Sequence, residues 1–380
     1  MMSPFRASFA RFVAILVKEF IQIRRDRLTF AMMFGIPILQ LTLFGYAINA
    51  DPKNLPTAIR IADQSPFARS LVRALENSGY FRILRETASE AEANWLLEAG
   101  KVQFVLHVPP DFGRELMRGE RPAVLLEVDA TDPVATGNAL SALTAINRRA
   151  LDHDLTGALA DLAAGPPPFE LRVQRRYNPE GITRYNIVPG LLGVVLTMTM
   201  VVMTSLGVTR ERERGTMESL LAMPVRPLEV MCGKILPYIL IGYVQATVIL
   251  LAARFLFQVP VAGNLVLLAL VLILFIAANL AVGFTFSTAA QNQLQAMQMA
   301  FFFFLPSILL SGFMFPFRGM PLWAQWLGEV LPLTHFLRIV RGILLKGNGV
   351  AEILPEVWPL LGFLLAAGTI ALLRYRQTLD

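Results

Sequence analysis

The stretch best suited to engage another molecule is Arg210 to Pro227, RERERGTMESLLAMPVRP. Gly215 can end one helix, and Thr216 can cap a new one with Glu218 in its first turn, where the helix dipole favours an acid. Leu220, Leu221 and Met223 then form an apolar tip before Pro224 stops the helix, with Glu211 and Glu213 in the charged rim ahead of it. A short helix with a greasy, charge-rimmed end suits docking to another protein. A solvated loop with a capped turn fits the same residues equally well.

Reactive groups are sparse elsewhere. His107 and His153 stand in no metal-ligand spacing and read as structural, so no metal site is expected. Asp63, Asp129 and Asp132 follow strand-like segments, where an acid more often caps the next helix than binds a ligand, as Asp132 ahead of Pro133 suggests. No Ser-His-Asp or Cys-His constellation is apparent. The single cysteine, Cys232, rules out a disulfide framework. Gly233-Lys234 lacks the glycine that a phosphate-binding loop needs five residues earlier, where Leu228 stands, so ATP binding of the P-loop kind is not expected of this chain. Thr197, Thr199, Thr204, Ser205, Gln245 and Asn279 fall inside apolar stretches. Polar groups held in a membrane usually face a bundle interior or a cavity, which makes these the candidate substrate path. Helix-to-helix hydrogen bonding is the commoner use of any one of them.

The elements that must carry these residues are membrane spans. With 55% hydrophobic and 16% charged residues, the chain is far from the composition of a soluble domain. One charge at mid-bilayer costs about 2.5 kcal/mol or more, so spans are sought where ionised groups are missing. Leu28–Ala50, Ile187–Val208 and Ile235–Ala253 qualify, and Phe255–Phe317 holds no Asp, Glu, Lys or Arg. The polar break Ser287–Gln298 divides that last stretch into spans near Val261–Phe286 and Met299–Phe315, and Val357–Leu373 is the sixth candidate. The first span, at about 22 residues, exceeds the apolar core of about 15 expected of a cleaved signal peptide and reads as an anchor. Ahead of it, Phe5, Phe9, Phe12, Val13, Leu16, Val17 and Phe20 recur on one helical face, the pattern of a helix lying in the membrane surface.

Short loops rich in Lys and Arg stay in the cytoplasm. Residues 1–27, the loop at 209–234 and the tail with Arg374 and Arg376 are of this kind, which puts both termini inside. The block at 51–186 is then outside. It carries 16 basic and 18 acidic residues, so the overall charge of +6 comes from the remaining segments and marks topology, not nucleic-acid binding. Within the block, strand signals at Thr57–Ala62, Tyr80–Leu84, Val102–Val108, Val124–Val128 and Glu170–Arg176 alternate with helix signals at Phe67–Glu76, Ser89–Glu98 and Pro133–Ala163. The fold class expected is a membrane α-helical protein of six transmembrane helices with an external α/β domain, its sheet mostly parallel, inserted between helices 1 and 2.

Lys18-Glu19 and Arg24-Arg25-Asp26 before the first span, Pro37 and Gly45 within it, and the run Glu213–Pro224 form an ordered set. Gly233-Lys234 and Pro332 with His335 and Arg341 extend it. In that order and spacing the chain resembles permease subunits of type-2 ABC exporters, in the branch with a large external domain after the first span. The resemblance covers nearly the whole chain. It implies that residues 1–27 form a connector helix, with Lys18, Glu19, Arg24, Arg25 and Asp26 in it. It implies further that 209–234 is a coupling loop seated in a cleft of an ATPase subunit through Glu211, Glu213, Gly215, Thr216, Glu218, Leu220, Leu221 and Pro224. Residues 318–350 are implied to be an external re-entrant segment, with Arg338, Arg341 and Lys346 near headgroup depth. ATP and Mg would be used by the partner ATP-binding chain, no cofactor being bound by this one. The other implied partners are a second permease subunit, the same chain or a relative, membrane lipid, and a periplasmic adaptor protein in a two-membrane bacterium. The expected role is export of amphipathic, lipid-like or drug-like cargo across a bacterial inner membrane. A membrane-anchored sensor or assembly scaffold, binding a partner outside without transport, is the competing expectation.

Overall fold

The computed structural model describes residues 38, 42, 43, 51–163, 165–213 and 227–374. The first half holds a five-stranded sheet built from Leu55–Ile61 (β1), Phe81–Glu86 (β2), Phe104–Val108 (β3), Ala123–Asp129 (β4) and Glu170–Arg176 (β5). Strand order is β2-β1-β3-β4-β5, and only the β3–β4 pair is antiparallel. The helices between strands are Pro66–Asn77 (α1), Glu90–Glu98 (α2), Phe112–Met117 (α3), Pro133–Arg149 (α4) and Ala160–Ala163 (α5).

Alternation along β3 assigns its two faces. Phe104, Leu106 and Val108 join Leu71 and Leu75 of α1, Phe112 of α3 and Leu143 of α4 in one core, while Val105 joins Ala93, Leu96 and Leu97 of α2 in the other. Phe81 and Phe104 meet edge to face at 5.0 Å. Each such fully buried side chain contributes about 1.5–3 kcal/mol, enough with this many to hold the sheet without a disulfide.

Two departures from the sequence reading have local causes. Helix α3 was not expected, because six residues show no helical period; it begins after Asp111 in a left-handed conformation. The helix expected over Pro133–Ala163 ends at Arg149, and the chain passes through a 3-10 turn at Gly157–Leu159, where Gly157 has φ 62°.

The second half is helical: Thr183–Glu213 (α6), Pro227–Phe255 (α7), Leu265–Ala289 (α8), Gln293–Leu310 (α9), Leu322–Val330 (α10), Pro332–Arg341 (α11) and Val350–Arg374 (α12), with a π-helical turn at Gly342–Lys346. Five of these, α6, α7, α8, α9 and α12, are long and apolar enough to cross a membrane. The expected span Leu28–Ala50 lies almost wholly outside the described residues; Leu43, within it, is buried against Leu309, Leu310, Met320 and Ala324. Asn292 caps α9 in the middle of the expected polar break. Helix α12 starts at Val350, two turns before the expected Val357, and keeps Pro355 and Pro359 inside it.

Helices α6 and α8 form the centre of the bundle. A Cβ on Gly283 of α8 would stand 2.6 Å from the Val201 carbonyl oxygen and 2.9 Å from Thr204 Cβ on α6, so a side chain is missing where the backbones touch. Nearer their starts, Gly193 of α6 abuts Leu333 and Phe336 of α11, and Phe336 stacks on Phe275 of α8 at 4.0 Å. These two levels, eight residues apart on α8, run in the same direction on both helices, so α6 and α8 are parallel.

Candidate functional site

Of the residues expected to couple to a partner, Glu211 and Glu213 end α6. Glu213 accepts hydrogen bonds from the backbone N–H and the side-chain amide of Gln293, the first residue of α9. Those bonds hold its carboxyl below the usual carboxylate range. Arg210 also reaches Gln293, at 3.4 Å, so the charged end of α6 is tied to the turn between α8 and α9. Gly215, Thr216, Glu218, Leu220, Leu221 and Pro224 lie outside the described residues, as do Lys18, Glu19, Arg24, Arg25 and Asp26.

The candidate path residues separate into two groups. Thr199 Oγ1 donates to Gln245 Oε1 at 2.9 Å, joining α6 to α7, and also to the Val195 carbonyl at 2.7 Å. Thr204 and Ser205 are buried and donate to carbonyls of their own helix. Thr197 and Asn279 are fully buried, and Thr197 Oγ1 and Asn279 Oδ1 have no hydrogen-bond partner. Each stands one turn back from the Val201–Gly283 contact, so the parallel register of α6 and α8 puts these two orphan oxygens at one level. Buried polar atoms are rarely left so, and an arrangement with a partner for both is favoured by about 1–3 kcal/mol per group.

A second constellation lies where the sheet domain meets the helices. The last turn of α2 and the turn after it expose carbonyls, and three donors from the helical half fill three of them. Lys346 Nζ bonds Leu97 O at 2.8 Å, Asn348 Nδ2 bonds Glu98 O at 3.1 Å and Arg318 Nη2 bonds Gly100 O at 3.1 Å. Two of the three are cations at a helix C-terminus, where the dipole favours them. Lys346 also pairs with Asp129 at the end of β4, at 2.5 Å, both side chains being less than a tenth exposed. From Asp129 the contacts continue through Thr131, whose carbonyl accepts from Asn186, to Arg341, which donates to Asn186 at 3.1 Å and to the Gly312 carbonyl at 3.2 Å. Beside it, Arg338 binds Glu329 at 2.6 Å and Glu356 at 3.2 Å, and buried His335 faces Glu356 at 2.6 Å through Nδ1 and the Glu329 carbonyl at 2.8 Å through Nε2.

Asp129 is thus an inter-domain ion-pair partner and not a cap, whereas Asp132 caps α4 through Val134 and Ala135, and Asp63 accepts from Ser65 and Gly113. His107 is occupied by Glu127 at 3.1 Å. Among the described residues no group of three or more His, Cys, Asp or Glu is placed to hold a metal ion. Sequence reasoning did not single out Glu329 and Glu356. Their one local signal is that acids occur at all beside Pro355 and Gly328, at the ends of otherwise apolar helices.

A sequence model of the family described as "ABC-2 family transporter protein" matches residues 27–373. The chain belongs to that family. Among curated relatives of this ABC-2 protein, the "Probable multidrug ABC transporter permease YbhS" of Escherichia coli (strain K12) is 30% identical over 349 residues, covering 90% of each chain. The "Probable multidrug ABC transporter permease YbhR" of the same organism is 28% identical over 372 residues, covering 97% of this chain and 99% of that one. The "Inner membrane transport permease YhhJ", again of that strain, is 30% identical over 338 residues, covering 85% and 86%. As a member of the ABC-2 family, the chain is a multi-pass permease component of an ABC transporter. In such a component the Lys346–Asp129 junction fixes the sheet domain onto the ends of α9 to α12.

Proposed function

We propose that this permease moves amphipathic, lipid-like or drug-like cargo out of the cytoplasm or the inner leaflet of a bacterial inner membrane. ATP hydrolysis is supplied by a separate subunit that docks at the coupling loop, 209–234. The observation that carries this reading is the family match over 27–373, which takes in the loop, the sheet domain and every described span. Drug-like cargo is supported by the names of two relatives, and the inner membrane by the name of a third.

In this reading the sheet domain lies outside, and both termini and the end of α6 lie in the cytoplasm. The tie of Glu213 to Gln293 supports it, since it joins the two loops that alternation of spans would bring to one side. Two relatives from one organism cover the chain almost equally well, which supports a dimer of two related permeases. The Thr199–Gln245 pair and the unpartnered level at Thr197 and Asn279 are the parts of the proposed path that a change of helix packing would open. A periplasmic adaptor is a further partner in this scheme.

The test is reconstitution with the ATPase subunit in liposomes. Cargo should stimulate hydrolysis, and Leu220→Asp with Leu221→Asp should abolish both stimulation and co-purification of the ATPase. Survival of both in the double variant would remove the docking assignment. Unstimulated hydrolysis with intact binding would favour a scaffold over a transporter.

A further inference from the structure

A cavity of about 390 Å³ opens between the last turn of α2, the end of β4 and the helix ends of α9 to α12. Six carboxylates and five cationic side chains line it. Arg338 and Lys346 consume three of those acids, Glu329, Glu356 and Asp129. Among the described residues, Glu98, Asp132 and Glu352 and Lys101, Arg318 and Arg341 line the cavity with no ion pair within 4.0 Å.

Three charges of each sign remain outside ion pairs, although the lining as a whole holds one more acid than cation. An anion alone or a cation alone would leave half of them unanswered. Arg341 is the most demanding member. A guanidinium has five N–H donors, and Arg341 spends them on one carbonyl and one amide oxygen, with Nε unpartnered. Asp132 and Asp129 line the same cavity, and neither forms an ion pair with Arg341. A guanidinium fork held by neutral acceptors, with spare N–H groups, is suited to a phosphate oxygen pair.

The depth matches a headgroup. The cavity sits where the α/β domain meets the ends of the spans, and the adjoining α10 exposes Leu322, Trp323, Trp326 and Leu327. Exposed tryptophans beside charged groups mark the membrane interface. The volume is at the small end of ligand pockets, the size of a headgroup and not of a whole lipid.

We propose that this cavity binds a zwitterionic phosphoethanolamine group, its phosphate on Arg341 and Arg318 and its ammonium among Asp132, Glu98 and Glu352. The inference goes beyond the transport reading and needs only the chain in a membrane or micelle, so it stands or falls without the ATPase. The source is distinguished by two ligands: a short-chain phosphatidylethanolamine and water-soluble glycerophosphoethanolamine.

The full chain, delipidated in detergent, would be titrated with each ligand while its melting temperature is followed, with bound ligand counted by native mass spectrometry. Saturable stabilisation and a stoichiometric adduct are expected with the lipid, and not with short-chain phosphatidylglycerol, which lacks the ammonium. If glycerophosphoethanolamine binds as tightly, the site reads the headgroup alone; binding of the lipid only makes the membrane the source. Either result supports the site. Arg341→Gln should weaken binding at least tenfold. Because Arg341 is largely buried, two milder variants carry the test as well. Asp132→Asn keeps a side chain able to cap α4, and Arg318→Gln alters an exposed residue. Without ligand, Asp132→Asn should melt like the parent and Arg318→Gln slightly lower, having lost its bond to the Gly100 carbonyl, and both should bind several-fold more weakly. Parental affinity in both, equal stabilisation by phosphatidylglycerol, or no saturable adduct with either ligand would overturn the proposal.

Discussion

Lys346 and Asp129 meet at 2.5 Å with less than a tenth of either side chain exposed. Removing one partner of such a pair strands the other charge, which costs about 3–5 kcal/mol. Lys346→Met is therefore expected to lower the melting temperature of the full chain in detergent steeply, and Lys346→Met with Asp129→Leu should regain part of the loss. A double variant no better than the single one would show that the two charges are not energetically coupled. Glu127 makes a pH-dependent counterpart inside the sheet domain. The hydrogen bond from His107, together with Arg176, holds its carboxyl below the ordinary range against burial that pushes it up. A depressed folded-state value means that the stabilisation is complete above the unfolded carboxylate value of about 4.3 and is lost as pH falls through the folded one. Glu127→Gln should therefore flatten the dependence of melting temperature on pH below about 4.3, and an unchanged acid limb would contradict the assignment. Sequence made Asp129, His335, Arg341 and Lys346 visible as charges in notable places. It did not pair them, because Asp129 and Lys346 are 217 residues apart and no spacing rule reaches that far.

At the scale of elements, the central contact is α6 on α8. The backbones touch at Gly283, where a Cβ would meet the Val201 carbonyl at 2.6 Å. A backbone atom cannot rotate away as a side chain can, so Gly283→Val should separate the helices and cost about 1–3 kcal/mol or more. Loss of monodisperse protein is the expected readout. Gly368→Ala, in α12 with nothing within 4 Å, should be neutral or stabilise by up to about 1 kcal/mol because alanine is the better helix former. Equal damage from both would argue against a packing cause. The elements legible beforehand were those whose period repeats. TAIRIA overlaps β1 up to Ile61 and VQFVLHV contains β3, and the charge-free stretches from Phe255 onward became α8 and α9. Helix α3 escaped because its start depends on a single left-handed residue, Asp111, and the end of α4 at Arg149 escaped because no Gly or Pro marks it in the sequence before Gly157. The start of α12 escaped because Pro355 and Pro359, which usually end a helix, are kept inside one here.

At the scale of the whole molecule, five described spans run from the sheet domain to the C-terminal end of α12. An odd number of crossings would put those two on opposite sides of the membrane, as the proposed topology requires. The contacts agree with alternation: Arg318, Lys346 and Asn348 all reach α2 or the turn after it, whereas Glu213 reaches Gln293 at the other ends of the helices. The proposed cytoplasmic side is the end away from the sheet domain, where Arg210 and Arg374 close α6 and α12, in keeping with the excess of basic residues that cytoplasmic loops carry. Labelling can separate the two orientations cleanly because Cys232 is the only cysteine. With Cys232→Ser as background, a membrane-impermeant maleimide applied to intact cells should modify Glu90→Cys, at the exposed start of α2, and leave Thr216→Cys unmodified until the cells are lysed. The reverse pattern would place the sheet domain in the cytoplasm, and the loop at 209–234 would then face away from any ATPase.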